Sequence, residues 1–208
     1  MKPEELELLK KYFPEKAVPL VGNTFNERHF QLCFERPRTT KLGDFRPPRT
    51  RNSKVCRITL NCDLNPYQML VTFVHEVAHY EVFDKYGMKN LQPHGEEWKA
   101  AFNRLLQPYL TNEIFPDDVL QQLREHLLHI TASSNADQDL QRVLQNYDER
   151  PASVTTVEQL AEGTRFVLRN GKTFQKGPKQ RTRHKCLCED NGQWYTVAGL
   201  AEVVIVLD

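Results

Sequence analysis

The hydrophobic positions change period along this chain, and the changes divide it into segments. Leu6, Leu8, Leu9, Tyr12 and Phe13 share one side of an amphipathic helix over 3–13, which Pro14 ends. From Phe25 to Glu35 the period drops to two: His29, Gln31 and Cys33 alternate with Phe30, Leu32 and Phe34, which reads as a strand. Gly43 is placed for a turn or bulge, and Pro47-Pro48 breaks the chain. A second strand is expected over about 54–61, with Val55, Arg57 and Thr59 on one side and Cys56, Ile58 and Leu60 on the other.

Asn65-Pro66 then pairs an N-cap residue with a proline at the first helical position. No glycine and no further proline follows until Gly87. Met69, Leu70, Phe73, Val74, Val77, Ala78, Val82 and Phe83 cover most of the circumference, so this helix should be buried on most sides. A second helix should begin near Gly95, with Trp98, Ala101, Phe102, Leu105 and Leu106 as its apolar stripe. Pro116-Asp117-Asp118 opens a third, to about 130, and a fourth is expected over about 136–147.

The pattern changes after Tyr147. A short polar linker leads into four or five short strands over 164–208. Asn170-Gly171 is the strongest hairpin signal, Asn191-Gly192 marks another turn, and Arg181–Cys188, Trp194–Val197 and Val203–Leu207 read as strands. The expected organisation is α+β in two domains, 1–150 and 151–208, the second a small basic β module.

Composition narrows the class. Hydrophobic residues make up 39% and aromatics 10% of the 208 residues, enough for a core and against full disorder. No apolar run approaches the roughly 18–20 residues of a membrane span, so no membrane partner is expected. The acidic, amphipathic start (Met1 to Glu7) is unlike a secretion signal. Five scattered cysteines without a CxxC pair read as reduced thiols in a cytoplasmic protein, free or nucleoid-associated, and exclude a four-cysteine zinc ribbon. Cys186 and Cys188 should point the same way from one strand and serve packing.

The sharpest chemical feature is His75-Glu76-Val77-Ala78-His79. Residues i and i+4 of a helix sit about 40° apart and one turn up, so both imidazoles face one spot. Two such nitrogens are half of a tetrahedral zinc site. Glu76 borders that face and can reach a metal-bound water without ligating, as a general base. A catalytic site needs a third protein ligand and an open position. His94, in Pro93-His94-Gly95-Glu96-Glu97-Trp98, is the leading candidate, with Gly95 allowing a tight turn; Glu96 and Glu97 compete for the role. A closed structural zinc would need a fourth ligand, for which Cys62 is the candidate. His126 and His129, spaced i, i+3, read as residues of a solvated helix face. His29 and His184 have no partner by spacing.

These motifs are similar to those of the SprT-like zinc metallopeptidases. The likeness rests on HExxH at 75–79, PHGxxW at 93–98, and the segment Arg38 to Gly43 with Ile58 to Asn61, which resembles the family's basic hairpin and the strand leading into its zinc helix. It spans roughly residues 5–150. It implies a zincin-like core, a short antiparallel sheet plus helices carrying HExxH, and one catalytic Zn2+ held by His75, His79 and His94. It also implies endopeptidase activity on proteins associated with or crosslinked to DNA, with DNA, single-stranded or damaged, as a partner. The chain departs from many relatives in having only Cys186-Leu187-Cys188 where they carry a zinc ribbon.

Charge then alters the picture. The net charge of +1 hides two basic blocks: 36–57 is net +7, 165–185 is net +8 without one acid, and the remainder is net −14. Arg36, Arg38, Lys41, Arg46, Arg49 and Arg51 in the first block, and Lys179, Arg181, Arg183 and Lys185 in the second, are candidate nucleic-acid contacts. The last four alternate, which would place four cations on one face of one strand. Phe45, Phe166 and Phe174 lie among them and could stack on bases, the latter two being better placed for a core. The competing reading of both blocks is solvated edges protected from aggregation by charge.

The leading function is a zinc-dependent metalloendopeptidase in which Glu76 activates a zinc-bound water. The alternatives are a non-catalytic, metal-stabilised nucleic-acid-binding or regulatory protein, and a zinc hydrolase acting on a non-peptide bond.

Overall fold

A computed structural model describes residues 3–38, 41–48, 55–87, 92–128, 138–149 and 155–206. The fold is α+β and divides into two compact units, 1–148 and 149–208.

In the first unit, α1 (Pro3–Tyr12) and α2 (Val18–Glu27) precede three strands, β1 (Phe30–Glu35), β2 (Gly43–Arg46) and β3 (Cys56–Asn61). The helices α3 (Pro66–Tyr86), α4 (Glu96–Leu106), α5 (Asp117–Leu128) and α6 (Gln138–Gln145) follow. The sheet order is β1-β3-β2, so β2 is an edge. β2 and β3 are antiparallel, with Gly43 opposite Leu60 and Phe45 opposite Ile58. β1 and β3 run parallel, which corrects the expectation of a wholly antiparallel sheet. The strand expected from Phe25 also starts later, because α2 runs on to Glu27 and the backbone turns extended only at Arg28. Gly43 is not a turn residue: it opens β2.

Asn65 starts α3 by accepting the Tyr67 and Gln68 backbone N–H groups at 3.1 and 3.0 Å. Its amide donates to the Leu144 carbonyl and the Asp148 carboxylate, tying the helix start to the end of α6. Gly87 stops the helix at φ 65°, its N–H donating to the Phe83 carbonyl. Between these ends every side chain from Gln68 to Ala78 is buried. Phe73 meets the rings of Phe13, Phe25 and Phe30, and Phe45 meets those of Tyr80 and Phe83. Glu81 draws in Arg28 and Arg104, pinning α3 to the end of α2 and to α4. The result is a helix held on several sides, which fixes the direction of any side chain it aims at a site.

The second unit is one six-stranded sheet: β4 (Thr155–Thr156), β5 (Arg165–Leu168), β6 (Thr173–Gln180), β7 (Arg183–Cys188), β8 (Trp194–Ala198) and β9 (Glu202–Ile205). The order is β4-β9-β5-β6-β7-β8. Phe166, Phe174, Cys186, Cys188, Val157, Val197 and Val203 form its small core. Turns at Gly171 and Gly192 take positive φ, as their Asn-Gly contexts require.

Candidate metal centre

Two elements build the centre. α3 presents His75 and His79 one turn apart, and the start of α4 brings His94 to them. The three Nε2 atoms lie 3.2 Å (His75–His79), 3.1 Å (His79–His94) and 3.1 Å (His75–His94) apart. Tetrahedral ligands at zinc distances are about 3.3 Å apart, so one ion fits all three. Hydrogen bonding does not account for the triangle: in a neutral imidazole Nε2 is either a donor or an acceptor, never both, so at least one of the three contacts must join two donors or two acceptors. His94 also takes φ 58°, a left-handed conformation uncommon for a non-glycine residue. Here the histidine itself bears the tight turn expected of Gly95, which instead caps α4 with φ −69°. A Cβ at Gly95 would lie 2.9 Å from the Gln92 carbonyl oxygen, which is why glycine follows. Neither Cys62 nor Glu96 nor Glu97 joins the cluster among the described residues; Glu96 pairs with Lys99.

Trp98 floors the site. It is 2% exposed, its ring centroid is 4.6 Å from those of His75 and His94, and it stacks on Phe102. Its indole N–H donates to the His75 carbonyl at 3.3 Å. His126 is buried against Phe102 rather than solvated, a correction. It continues the α5 stripe of Val119 and Leu123, the signal that marks it as inward-facing. His129 lies outside the described residues.

Burial lowers the pKa of all three imidazoles. His75 falls well below 6.5, through burial and then the neighbouring His79 and His94. His79 falls to about 4, through burial and His94, and His94 falls through burial. All three are therefore neutral near pH 7, the state that ligates metal. Glu76 is 6% exposed. Burial, and then the Asp44 carboxylate, raise it to about 8, against the opposing Phe45 backbone N–H, Arg38 and Lys41. Its carboxylate lies against β2: a Cβ on Gly43 would come within 2.7 Å of Glu76 Oε1. Gly43 is needed for this approach, a role its sequence context does not reveal.

The candidate nucleic-acid residues scatter. Arg36 is exposed. Arg38 donates to Asn61 Oδ1 at 2.7 Å and Thr59 Oγ1 at 3.0 Å. Lys41 and Arg46 both pair with Asp44. Arg49 and Arg51 lie outside the described residues. In the second unit the four cations do not share one strand. Lys179 is in β6, Arg181 sits in the turn with φ 52°, and Arg183 and Lys185 are in β7. The chain reverses there, pairing Gln180 with Arg183 and Lys179 with His184, so they crown a hairpin. Phe166 and Phe174 are core and Phe45 packs on Tyr80 and Phe83. Among the described residues the exposed aromatics are instead Trp194 and Tyr195, which the pattern of basic residues did not single out. The Lys185 ammonium lies 4.9 Å from the centre of the Trp194 ring.

Among the described residues no helix is long and apolar enough to cross a membrane. A sequence model of the SprT-like family matches residues 7–116, a span that takes in His75, Glu76, His79, His94 and Trp98. No curated protein matches the chain at a significant level.

Proposed function

The chain belongs to the SprT-like family, and from that premise we propose that it is a zinc-dependent metalloendopeptidase with a zincin-like core. The observation that carries this is the triangle of three Nε2 atoms beside a buried glutamate on the same helix. His75, His79 and His94 would hold the ion. Zinc bound there would polarise a peptide carbonyl and make a water acidic enough to give up its proton near neutral pH. Glu76 would take that proton and pass it to the departing amine. In the metal-free site burial keeps this carboxyl largely protonated near neutral pH; a bound cation would favour the ionised form that serves as a base. Trp98 excludes water beneath the ligands and fixes the backbone of His75. A closed structural site needs four protein ligands; the cluster of three found among the described residues favours the open, catalytic reading.

We further propose that 1–150 is the peptidase domain, 151–208 a basic accessory module, and that the substrates are proteins associated with nucleic acid. Support comes from the β6–β7 hairpin. Lys179, Arg181, Arg183 and Lys185 have no carboxylate partner among the described residues, whereas Arg165 and Arg169 are neutralised by Glu189 and Glu202. Trp194, 53% exposed beside Lys185, adds a flat ring of the kind on which unpaired bases stack.

The test is zinc content and casein cleavage by the wild type and Glu76→Gln, each with and without single-stranded oligonucleotide. Glu76→Gln should keep its zinc and lose cleavage by about 10²–10⁴-fold, and the oligonucleotide should raise the wild-type rate. Unimpaired cleavage by Glu76→Gln would sink the endopeptidase reading; an unchanged wild-type rate would remove the nucleic-acid part alone.

A further inference from the structure

One ligand of the centre has a polar atom that the metal would not satisfy. An ion at Nε2 of His75 fixes the tautomer, because the proton of the neutral ring must then sit on Nδ1. In metal sites that second nitrogen almost always donates to a carboxylate, a carbonyl or a water, which sets the plane of the ring. The Nδ1 atom of His75 is sealed from solvent and has no hydrogen-bond partner among the described residues. Trp98 cannot supply one: its indole nitrogen is a donor only and is directed at the His75 carbonyl. Phe102, the other ring beside His75, has no polar atom.

Phe102 joins His75 to α5. Its ring centroid lies 6.1 Å from that of His75 and 6.2 Å from that of His126, at interplanar angles of 69° and 86°. Two imidazoles, one from α3 and one from α5, thus meet the same ring nearly edge-on. His126 is 2% exposed and sits on the buried stripe of Val119 and Leu123. An aliphatic side chain would continue that stripe without burying a polar ring, which is costly. Beyond the ligands themselves, His126 is a group whose charge bears on His75. A neutral imidazole offers one nitrogen as an acceptor. Nδ1 of His75 does not bond His126 directly, so a link between them takes a water, the usual bridge between buried polar groups.

We propose that His126 is a positioning residue for the centre: one buried water accepts the His75 Nδ1–H and donates to the His126 imidazole, which aims Nε2 of His75 at the metal. The metal rests on the reading of the centre given above; the link rests on the packing around Phe102. It gives α5 a share in a site whose ligands come from α3 and the start of α4.

The experiment compares the full wild-type chain with His126→Gln, which keeps an acceptor, and His126→Leu, which fills the stripe without one. Zinc affinity is read by competition with a chromophoric chelator, and the urea midpoint of each metal-free chain is measured alongside. His126→Leu should weaken zinc binding by about 10- to 100-fold, the range of outer-shell losses. Its metal-free midpoint should hold or rise, since an apolar residue replaces a buried polar one. His126→Gln should recover most of the lost affinity. In the zinc-loaded wild type, nuclear magnetic resonance should show the His75 Nδ1–H in contact with a bound water. Equal zinc affinity in all three chains, a loss in His126→Gln as large as in His126→Leu, or a loss in His126→Leu matched by a fall in its metal-free midpoint would overturn the proposal. A His75 Nδ1–H that contacts no water would overturn it whatever the variants do. Each of these outcomes leaves the metal reading standing; a wild-type chain that takes up no zinc would sink that reading and the proposal together.

Discussion

The two units treat ionisable side chains in opposite ways. The first buries them: His75, Glu76 and His126 sit in its interior, and His79 and His94 are partly covered. The second displays them, carrying Lys179, Arg181 and Arg183 on a solvated hairpin. Its buried exceptions are Lys176, whose ammonium donates to the Glu158 and Leu160 carbonyls, and His184. Burying an ionisable group without a partner is expensive. A cluster of buried imidazoles thus points to a cation that repays the cost, while a solvated cation hairpin is inexpensive and acquires meaning only from what it meets. Chemistry is therefore read from the interior of the first unit, and recognition from the surface of the second.

That contrast can be broken most directly at the ligands. His94→Ala should lower zinc affinity by more than the 10–100-fold typical of outer-shell changes, while leaving any oligonucleotide binding by the second unit as it was. Inductively coupled plasma metal analysis of the purified variant, alongside anisotropy, checks both halves. Full zinc retention would remove His94 from the site.

Trp98→Ala tests the floor of the centre. Truncating a buried aromatic of this kind costs about 3–5 kcal/mol, and the loss should fall on the first unit. Calorimetry should show its transition moving to lower temperature with that of the second unit unmoved. A uniform shift of both would argue against separate units.

Proton linkage sharpens the comparison further, since the buried groups of the first unit work against one another. In the metal-free chain, His75 and His79 are held below 6.5, His79 at about 4. Between those values the unfolded chain binds more protons, so stability falls as pH drops from 6.5. Glu76, at about 8 against an ordinary 4.5, does the reverse: the folded chain binds more protons across that window, and stability falls as pH rises through it. Two histidines outweigh one glutamate below 6.5, and the glutamate acts alone above. Urea midpoints of the metal-free chain should therefore peak between about pH 6 and 7, and Glu76→Gln should flatten the alkaline side. A midpoint rising steadily to pH 8 would contradict the burial of Glu76.

The smallest effect belongs to the hairpin. Replacing Arg183 and Lys185 by glutamine should change folding stability by under about 0.5 kcal/mol, as surface substitutions do. If the hairpin meets single-stranded nucleic acid, each lost phosphate contact should reduce the salt slope of binding by about 0.7. An unchanged slope would assign the cations to solvation alone.

Legibility in the sequence followed the same division. α3 was readable because its signals are local: Asn65 and Pro66 at the start, Gly87 at the end, and no breaker between. The i, i+4 histidines needed only that helix to face one another. α2 was not readable, because Pro19 and Gly22 lie within it and its support is tertiary, with Val18 and Val21 buried against the core. The reversal at Arg181 and Thr182 was hidden because no glycine, proline or asparagine marks it and an arginine takes the positive φ. The parallel pairing of β1 with β3 is long-range and has no local signature. The placement of Gly43 under Glu76, and of Trp98 under the histidines, depends on elements meeting that the chain separates.

The two tryptophans fall one to each unit, and this gives the molecule a pair of optical reporters. Trp98, sealed against three imidazole rings, should emit at short wavelength and change intensity whenever those rings gain a proton or a metal ion. Trp194, open to solvent under a lysine ammonium, should emit further to the red and respond to collisional quenchers and to stacked bases. A single emission spectrum, separated into its two components, would follow the occupancy of the centre and of the hairpin at once without any label.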